Sequence, residues 1–225
     1  MVKRYAAIVV LYVCCVLSPL IPFFKTIAQL FPNPRDGYGI IYTAIFGLTL
    51  LAVLLLLAPE RHLRAADRAT LSESILWAIL GIFALFALQS LAVFINTFLF
   101  HQPAASTHTK DVIQLTRYSP LFIFTVSIIG PILEEVVFRK IFFGGLRRKM
   151  PFILAAAISS IVFAVFHADL QHTLIYFVIG FFLCYVYQRT GRIWVTMMMH
   201  AGMNATVVAI NFAVGTAQLI AHGLH

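Results

Sequence analysis

Charged side chains are scarce in this chain, and acidic ones are the scarcest. Only 11% of the 225 residues are Asp, Glu, Lys or Arg, and just 8 are acidic, whereas 61% are hydrophobic. This balance excludes an ordinary soluble domain and is typical of a polytopic protein of the cell membrane. The net charge of +8 does not indicate nucleic-acid binding, because the basic residues lie in short links between apolar runs, where membrane orientation explains them.

Cysteine and the familiar zinc signatures are also nearly absent. Cys14 and Cys15 are neighbours in the first apolar run and Cys184 lies alone in a later one, so neither a disulfide framework nor a C-x-x-C metal clip is present. The H-E-x-x-H motif is missing as well. No internal repeat or low-complexity segment stands out. These absences leave the function to a few polar residues within the apolar runs.

Seven apolar runs are long enough to cross a membrane. About 20 helical residues cover ~30 Å of hydrocarbon, and helices are favoured because an open strand leaves its backbone unsatisfied in lipid. The predicted windows are residues 5–24, 38–58, 75–100, 119–146, 151–167, 172–188 and 193–214. The first window is too long for a signal peptide and lacks a cleavage site. We therefore expect an all-α membrane bundle of about seven transmembrane helices.

The predicted bundle divides into three parts along the chain. Residues 1–118 hold three helices and a loop, residues 119–214 hold the last four helices, and residues 215–225 form a tail, although the last helix can also be extended to Ala221. The link over residues 101–119 is polar and is predicted to be a surface loop. No further domain fits into so short a link.

Basic residues are concentrated on one side of the predicted bundle. That side carries Lys3, Arg4, Arg61, Arg64, Arg68, Lys140, Arg147, Arg148, Lys149, Arg189 and Arg192. The other side carries Lys25, Arg35, Lys110 and Arg117. The positive-inside rule therefore predicts a cytoplasmic N-terminus and an external C-terminus.

Two adjacent carboxylates interrupt the fourth apolar run. Glu134 and Glu135 lie in the stretch IIGPILEEVVFR, residues 128–139, and an ionisable side chain at that depth costs about 3 kcal/mol on insertion scales. On a helix Glu135 and Arg139 share a face and can form an ion pair, whereas Glu134 points about 100° away. One hypothesis is that both acids only lock helices together; the other is that Glu134 has a chemical role.

Two more polar pairs lie in apolar surroundings. His167 ends the fifth window one turn after Phe163, and His200 and Asn204 share a face of the seventh. With a rise of about 1.5 Å per residue from the cytoplasmic helix ends, Glu134, His167, His200 and Asn204 can occupy one layer of the membrane. A cluster of this kind on three helices favours a chemical site over isolated core residues.

Three motifs, E-E-x-x-x-R, F-x-x-x-H and H-x-x-x-N, follow one another in the chain. In this order they resemble the motifs of the CPBP intramembrane proteases, the CAAX-processing and bacteriocin-processing (ABI) group, over about residues 119–210. The matching positions are Glu134, Glu135, Arg139, Phe163, His167, His200 and Asn204. The resemblance implies hydrolysis of a peptide bond within the bilayer, in a peptide or membrane-protein substrate.

The resemblance also implies a role for each motif residue. Glu134 would be the base that activates a water held by His167, and His200 and Asn204 would donate hydrogen bonds to the oxyanion. The remaining motif residues would be structural support: Glu135, Arg139 and Phe163.

Three alternatives remain open at the level of sequence. A zinc-dependent version of the protease would use Glu134, His167 and His200 as ligands, but Asn204 is a poor zinc ligand and no free carboxylate would be left to act as base. We therefore favour catalysis without a metal or other cofactor. A non-proteolytic membrane scaffold or bacteriocin self-immunity protein would use the same helices to bind a partner. A proton-coupled transporter is disfavoured because no repeat is evident.

Overall fold

The computed structural model describes residues 2–60, 68–103 and 106–221, and within these ranges all regular secondary structure is helical. The helices are α1 (Val2–Leu17), α2 (Pro22–Ala28), α3 (Pro34–Leu57), α4 (Leu71–Phe98), α5 (Thr107–Tyr118), α6 (122–147), α7 (Phe152–Phe166), α8 (Thr173–Thr190) and α9 (Ile193–Ala221). The prediction of an all-α polytopic bundle is confirmed.

Five of the helical segments are long and apolar enough to cross a membrane. They are Val2–Leu20, Pro34–Glu60, Leu71–Phe98, Leu170–Thr190 and Ile193–Val214. The other two predicted crossings correspond to α6, which alternates between α-helical and π-helical turns, and to α7, which has only 15 residues. Five crossings therefore meet both criteria, and the predicted count of seven is not confirmed. The protein is a multi-pass membrane protein.

Both ends of the chain depart from the predicted windows. The window 5–24 is not one helix: α1 ends at Leu17, and the prolines Pro19 and Pro22 start a 3₁₀ turn and α2, because a residue without an N–H is tolerated only in a first helical turn. The last helix continues to Ala221, past the predicted start of the tail, and residues 222–225 lie outside the described residues.

The link over residues 101–119 is not simply a loop, because it contains α5. Ser106 caps this helix by accepting a hydrogen bond from the Thr109 N–H at 3.1 Å. Ile113 and Thr116 are buried on one face, while most of the other face is exposed. The prediction of a surface loop was wrong because a short amphipathic helix with few apolar residues has the composition of a loop.

An ionic cluster joins three helices at the end of the bundle that the basic residues mark. The Tyr5 hydroxyl of α1 donates to Glu60 at 2.9 Å, and Lys140 of α6 lies 3.1 Å from the same carboxylate. This places the start of α1, the end of α3 and the end of α6 together, as the predicted topology requires. Arg61 and Arg64 lie outside the described residues, and the orientation of this end in the membrane stays a prediction.

Two hydrophobic core clusters hold together the helices that carry the polar motif residues. One joins α4, α8 and α9, and the other joins α1 and α3 to Leu133 of α6 and Phe163 of α7. Gly81 lets α4 approach α9 closely, because a side chain at this position would collide with Met199. Met199 precedes His200, so this contact fixes the part of α9 that carries the histidine.

Candidate active site

A cavity of about 1180 Å³ opens between the helices. The four residues predicted to carry the chemistry all line it: Glu134, His167, His200 and Asn204. Phe163 also lines the cavity, whereas Glu135 and Arg139 are fully buried and are not part of its lining. A cavity of this size can hold a short stretch of peptide.

The carboxylate helix α6 has two π-helical segments, Thr125–Ile129 and Glu135–Phe143, on either side of Gly130–Glu134. Single π turns are rare and often occur at functional sites. Carbonyl oxygens in both segments accept side-chain hydrogen bonds: Val126 from Asn204 Nδ2 at 3.1 Å and Phe138 from Ser159 Oγ at 3.1 Å. The backbone of α6 is thereby tied to both α9 and α7.

Behind the cavity wall, Glu135 joins two basic side chains. Its Oε1 lies 2.9 Å from Arg139 Nη1, so the ion pair expected from the four-residue spacing is present. The same oxygen lies 2.9 Å from Nδ1 of His200, a contact between helices that the sequence did not predict. Glu135 and Arg139 are both 0% exposed. Glu135 therefore has the contacts of a structural residue that also orients a histidine of the cavity.

Arg139 is held by charge and by an aromatic face rather than by well-aligned hydrogen bonds. Its Nη1 is close to Glu135 but does not have hydrogen-bond geometry, and within the described residues its other guanidinium nitrogens have no hydrogen-bond partner. The guanidinium carbon lies 4.2 Å from the centre of the Phe163 ring, which is a cation–π contact. Phe163 also packs against His167, with ring centres 4.5 Å apart. Phe163 thus separates the buried ion pair from the cavity.

Glu134 is in a different environment from its neighbour. Its side chain is 21% exposed, and Oε2 lies 3.7 Å from Nε2 of His200. Within the described residues no hydrogen bond shorter than this contact fixes the carboxylate. Glu134 is therefore the acidic side chain that can meet a water or a substrate in the cavity.

The hydrogen-bond partners of His167 and His200 determine where their ring protons lie. His167 Nδ1 is 2.8 Å from the Phe163 carbonyl, which can only accept, so Nδ1 carries a proton and Nε2 is an acceptor in the neutral ring. His200 Nδ1 faces the carboxylate of Glu135 and likewise carries a proton. His200 Nε2 is then turned toward Glu134. His167 lines the same cavity.

Tyr176 of α8 is a site residue that the sequence did not reveal. Its ring stacks on His167, with centres 4.0 Å apart and planes at 26°, and it lines the cavity. Its hydroxyl lies near the side chains of Ser106 and Thr109 at the start of α5. A single tyrosine in an apolar run belongs to no motif, so no local signal identifies it.

A second polar cluster fixes the start of α5 beside the cavity. Asp169 accepts a hydrogen bond from Ser106 Oγ at 2.6 Å and pairs with His172 Nδ1 at 2.9 Å. His172 Nε2 lies 2.9 Å from the Pro103 carbonyl. The three-residue spacing of Asp169 and His172 at the end of an apolar run is a sequence signal that could have found this cluster.

The zinc alternative requires three protein ligands in one place. Within residues 2–60, 68–103 and 106–221, no three His, Cys, Asp or Glu side chains lie close enough to hold a metal ion. Glu134, His167 and His200 therefore do not form a preassembled zinc site.

Comparison with known proteins identifies the family. Residues 116–206 match the family model described as Type II CAAX prenyl endopeptidase Rce1-like, a range that includes every motif residue. Over 215 residues the chain is 37% identical to a Bacillus subtilis (strain 168) protein named "Putative membrane peptidase YdiL", covering 92% of this chain and 88% of the relative. The chain belongs to the CPBP family. It is a CAAX-type membrane protease, as the three motifs predicted.

A further relative of this CPBP protein is "Membrane-embedded CAAX protease MroQ" from Staphylococcus aureus (strain USA300). It is 37% identical over 138 residues, covering 59% of this chain and 56% of the relative. No solved structure matches the chain.

Proposed function

We propose that this CPBP protein is an intramembrane endopeptidase in which Glu134 activates a water to hydrolyse a peptide bond of a peptide or membrane-protein substrate. The observation that supports this role most directly is the contrast between the two carboxylates. Glu135 is fully buried against Arg139 and His200, whereas Glu134 is partly exposed in the cavity. A general base must reach the proton that it removes, and Glu134 meets this condition.

The water would bind between Glu134 and His167. The Nε2 atom of His167 is an acceptor because Nδ1 donates to the Phe163 carbonyl, so it can accept one O–H of the water while Glu134 takes the other proton. The resulting hydroxide attacks the carbonyl carbon of the scissile peptide bond. Stacking on Tyr176 keeps the His167 ring in this orientation.

The oxyanion formed by this attack would be stabilised by Asn204 and His200. The Asn204 amide has two N–H groups, and one of them donates to the Val126 carbonyl, which orients the other for the oxyanion. His200 can donate from Nε2 when both ring nitrogens carry protons, with Nδ1 donating to Glu135. One such donor contributes about 10²–10³ in rate.

Collapse of the tetrahedral intermediate completes the reaction. The carbon–nitrogen bond breaks and the proton held by Glu134 passes to the leaving nitrogen. The products are a carboxylic acid and an amine, and transfer of the acid proton to the amine gives a carboxylate and an ammonium group. The base then returns to its ionised form and the site takes up another water.

Metal dependence can be tested on purified protein in lipid nanodiscs. We expect no stoichiometric zinc by elemental analysis and full activity after exhaustive chelation. One tightly bound zinc per chain, with activity lost on removal and restored on addition, would contradict the proposal and make Glu134, His167 and His200 ligands.

Comparative peptidomics separates a protease from a scaffold or immunity protein. A deletion strain is complemented with the wild-type gene or with Glu134→Ala, and membrane and secreted peptides are compared. We expect cleavage products that appear only with the wild-type gene. A phenotype restored equally by both genes, with no product that depends on Glu134, would favour the non-proteolytic role.

From the distribution of basic residues we also propose that the N-terminus is cytoplasmic and the C-terminus external. Single cysteines, introduced into a variant without native cysteines, are labelled from outside the cell. Positions in the link over residues 101–118 should react, and positions in 59–74, 147–150 and 189–192 should not. The reverse pattern would invert the topology and place α5 on the cytoplasmic side.

A further inference from the structure

Helix α5 forms part of the cavity lining and turns a polar stripe toward it. Ser106, Lys110, Gln114 and Arg117 line the cavity, and their spacing of three or four residues places them on one helical face. The last three are exposed, whereas Ile113 beside them is buried. The stripe therefore lies at the rim of the cavity, where solvent and substrate both have access.

The charges of the cavity are unevenly distributed. Among its described lining residues Glu134 is the only acid, and Lys110 and Arg117 supply positive charge at the rim. In the part of the chain that the structure describes, neither cation forms an ion pair. Asp111 is exposed on the same helix but does not line the cavity. The rim therefore has positive charge that no described acidic side chain pairs with.

Contacts at both ends of α5 hold the rim in place. Arg117 Nη2 donates to the Asn211 carbonyl of α9 at 3.0 Å, which uses one of the five N–H donors of the guanidinium. At the other end Ser106 donates a hydrogen bond to Asp169. A cation positioned before the ligand arrives loses less conformational entropy on binding than a mobile one.

We propose that Lys110 and Arg117 bind a carboxylate of the substrate, so that the enzyme selects peptides that are negatively charged in the part lying under α5. The proposal rests on the proposed function, because it assigns a substrate class to the same site. The carboxylate belongs to an acidic side chain or to the chain terminus, and both present the same chemistry to the rim. Charge complementarity between two cations and one acidic segment changes affinity by about tenfold when the contacts are partly solvated.

Binding of matched peptides tests the rim directly. Paired libraries of short synthetic peptides carry either Glu or Gln at the same positions, each with a free or an amidated C-terminus. Peptides retained by the protein in phosphatidylcholine nanodiscs are quantified by mass spectrometry. We expect the wild type to retain acidic peptides about tenfold better than their neutral counterparts. The Gln and amide arms show whether side chains or the terminus supply the carboxylate.

Matched variants separate charge from folding. Lys110→Gln with Arg117→Gln should abolish the preference for acidic peptides, and Lys110→Glu with Arg117→Glu should reverse it in favour of Lys-containing peptides. Asp111→Asn, on the same helix but outside the cavity lining, should retain the wild-type preference. A wild type that retains all peptides equally, or a preference that persists in the Lys110→Gln/Arg117→Gln variant, would overturn the proposal.

Two further outcomes are distinguishable. If the two Gln substitutions matter only after phosphatidylglycerol is added, and affect all peptides alike, the cations bind lipid headgroups and the proposal fails. Cleavage of the retained peptides is followed separately. Acid-selective binding without any cleavage would support the rim and contradict the proposed function, whereas cleavage without acid selectivity would contradict the rim alone.

Discussion

On either side of one peptide bond in α6, two carboxylates meet different surroundings. The Glu134 side chain is 21% exposed in a cavity, and the Glu135 side chain is 0% exposed behind the cavity wall. The two residues have the same chemistry, so the difference comes from the face of α6 on which each lies and from the side chains that each face meets. Glu135 contacts Arg139 and His200, whereas Glu134 faces the cavity.

The comparison also explains how the protein tolerates so much buried charge. Taking an ion pair out of water costs several kcal/mol per ion unless other contacts compensate. Glu135 has two basic neighbours, and Arg139 adds the face of Phe163. Glu134 avoids part of this cost because it remains partly exposed.

The largest effect is expected at Glu134, the carboxylate that faces the cavity. Glu134→Gln removes the proposed base and should lower turnover by about 10³-fold or more, while the yield of monodisperse protein stays at the wild-type level. Turnover and size-exclusion profiles are measured in parallel with Glu135→Gln. Equal losses of folded protein in the two variants would show that the carboxylates do not differ in the way described.

Substitutions of the buried pair, Glu135 and Arg139, should lower the stability of the protein. Glu135→Gln or Arg139→Met alone leaves a buried charge unpaired and should cost about 3–5 kcal/mol. The double variant removes both charges and should recover much of that loss, without regaining activity, because His200 has lost its carboxylate. Thermal unfolding in detergent compares the variants, and a double variant no more stable than either single one would argue against the pair.

A smaller effect is expected at the proposed oxyanion site. Asn204→Ala should slow turnover about 10²-fold with little change in substrate binding, because the missing N–H would act only in the transition state. The hydrogen bond to Val126 is lost as well, so unfolding temperature is measured alongside kinetics. A change confined to KM would instead place Asn204 in ground-state binding.

The smallest effect is expected at Tyr176. Tyr176→Phe keeps the ring on His167 but removes the hydroxyl near Ser106 and Thr109, so its effect should not exceed about 1 kcal/mol, the contribution of one ordinary hydrogen bond. Turnover should fall a few-fold, and Tyr176→Ala should reduce it further by releasing the histidine ring. Identical rates for the Phe and Ala variants would show that stacking does not orient His167.

The sequence predicts the parts of this structure that depend on local spacing. Apolar runs locate the crossing helices, and the four-residue interval places Arg139 on the same face as Glu135. Helix α5 was missed because its stability depends on tertiary contacts such as that between Ser106 and Asp169, which no local pattern reports.

Contacts between helices could not be predicted from the sequence, for a geometric reason. The rotation of each helix about its axis decides which side chains meet. It determines whether His200 forms a hydrogen bond with Glu135 and whether Tyr176 stacks on His167. In α6 the π-helical segments change that rotation relative to a regular helix of 3.6 residues per turn. The sequence could therefore bring the predicted residues to one depth but could not assign their partners.

The shortness of α7 limits how far His167 can lie from the start of its helix. The 15 residues of α7 extend about 22 Å, less than the ~30 Å of a typical hydrocarbon core. His167 directly follows the last residue of α7, so a helix that starts at one membrane surface ends before it reaches the other. Hydrolysis consumes one water for each bond cleaved, and the cavity that His167 lines is the space through which that water can arrive.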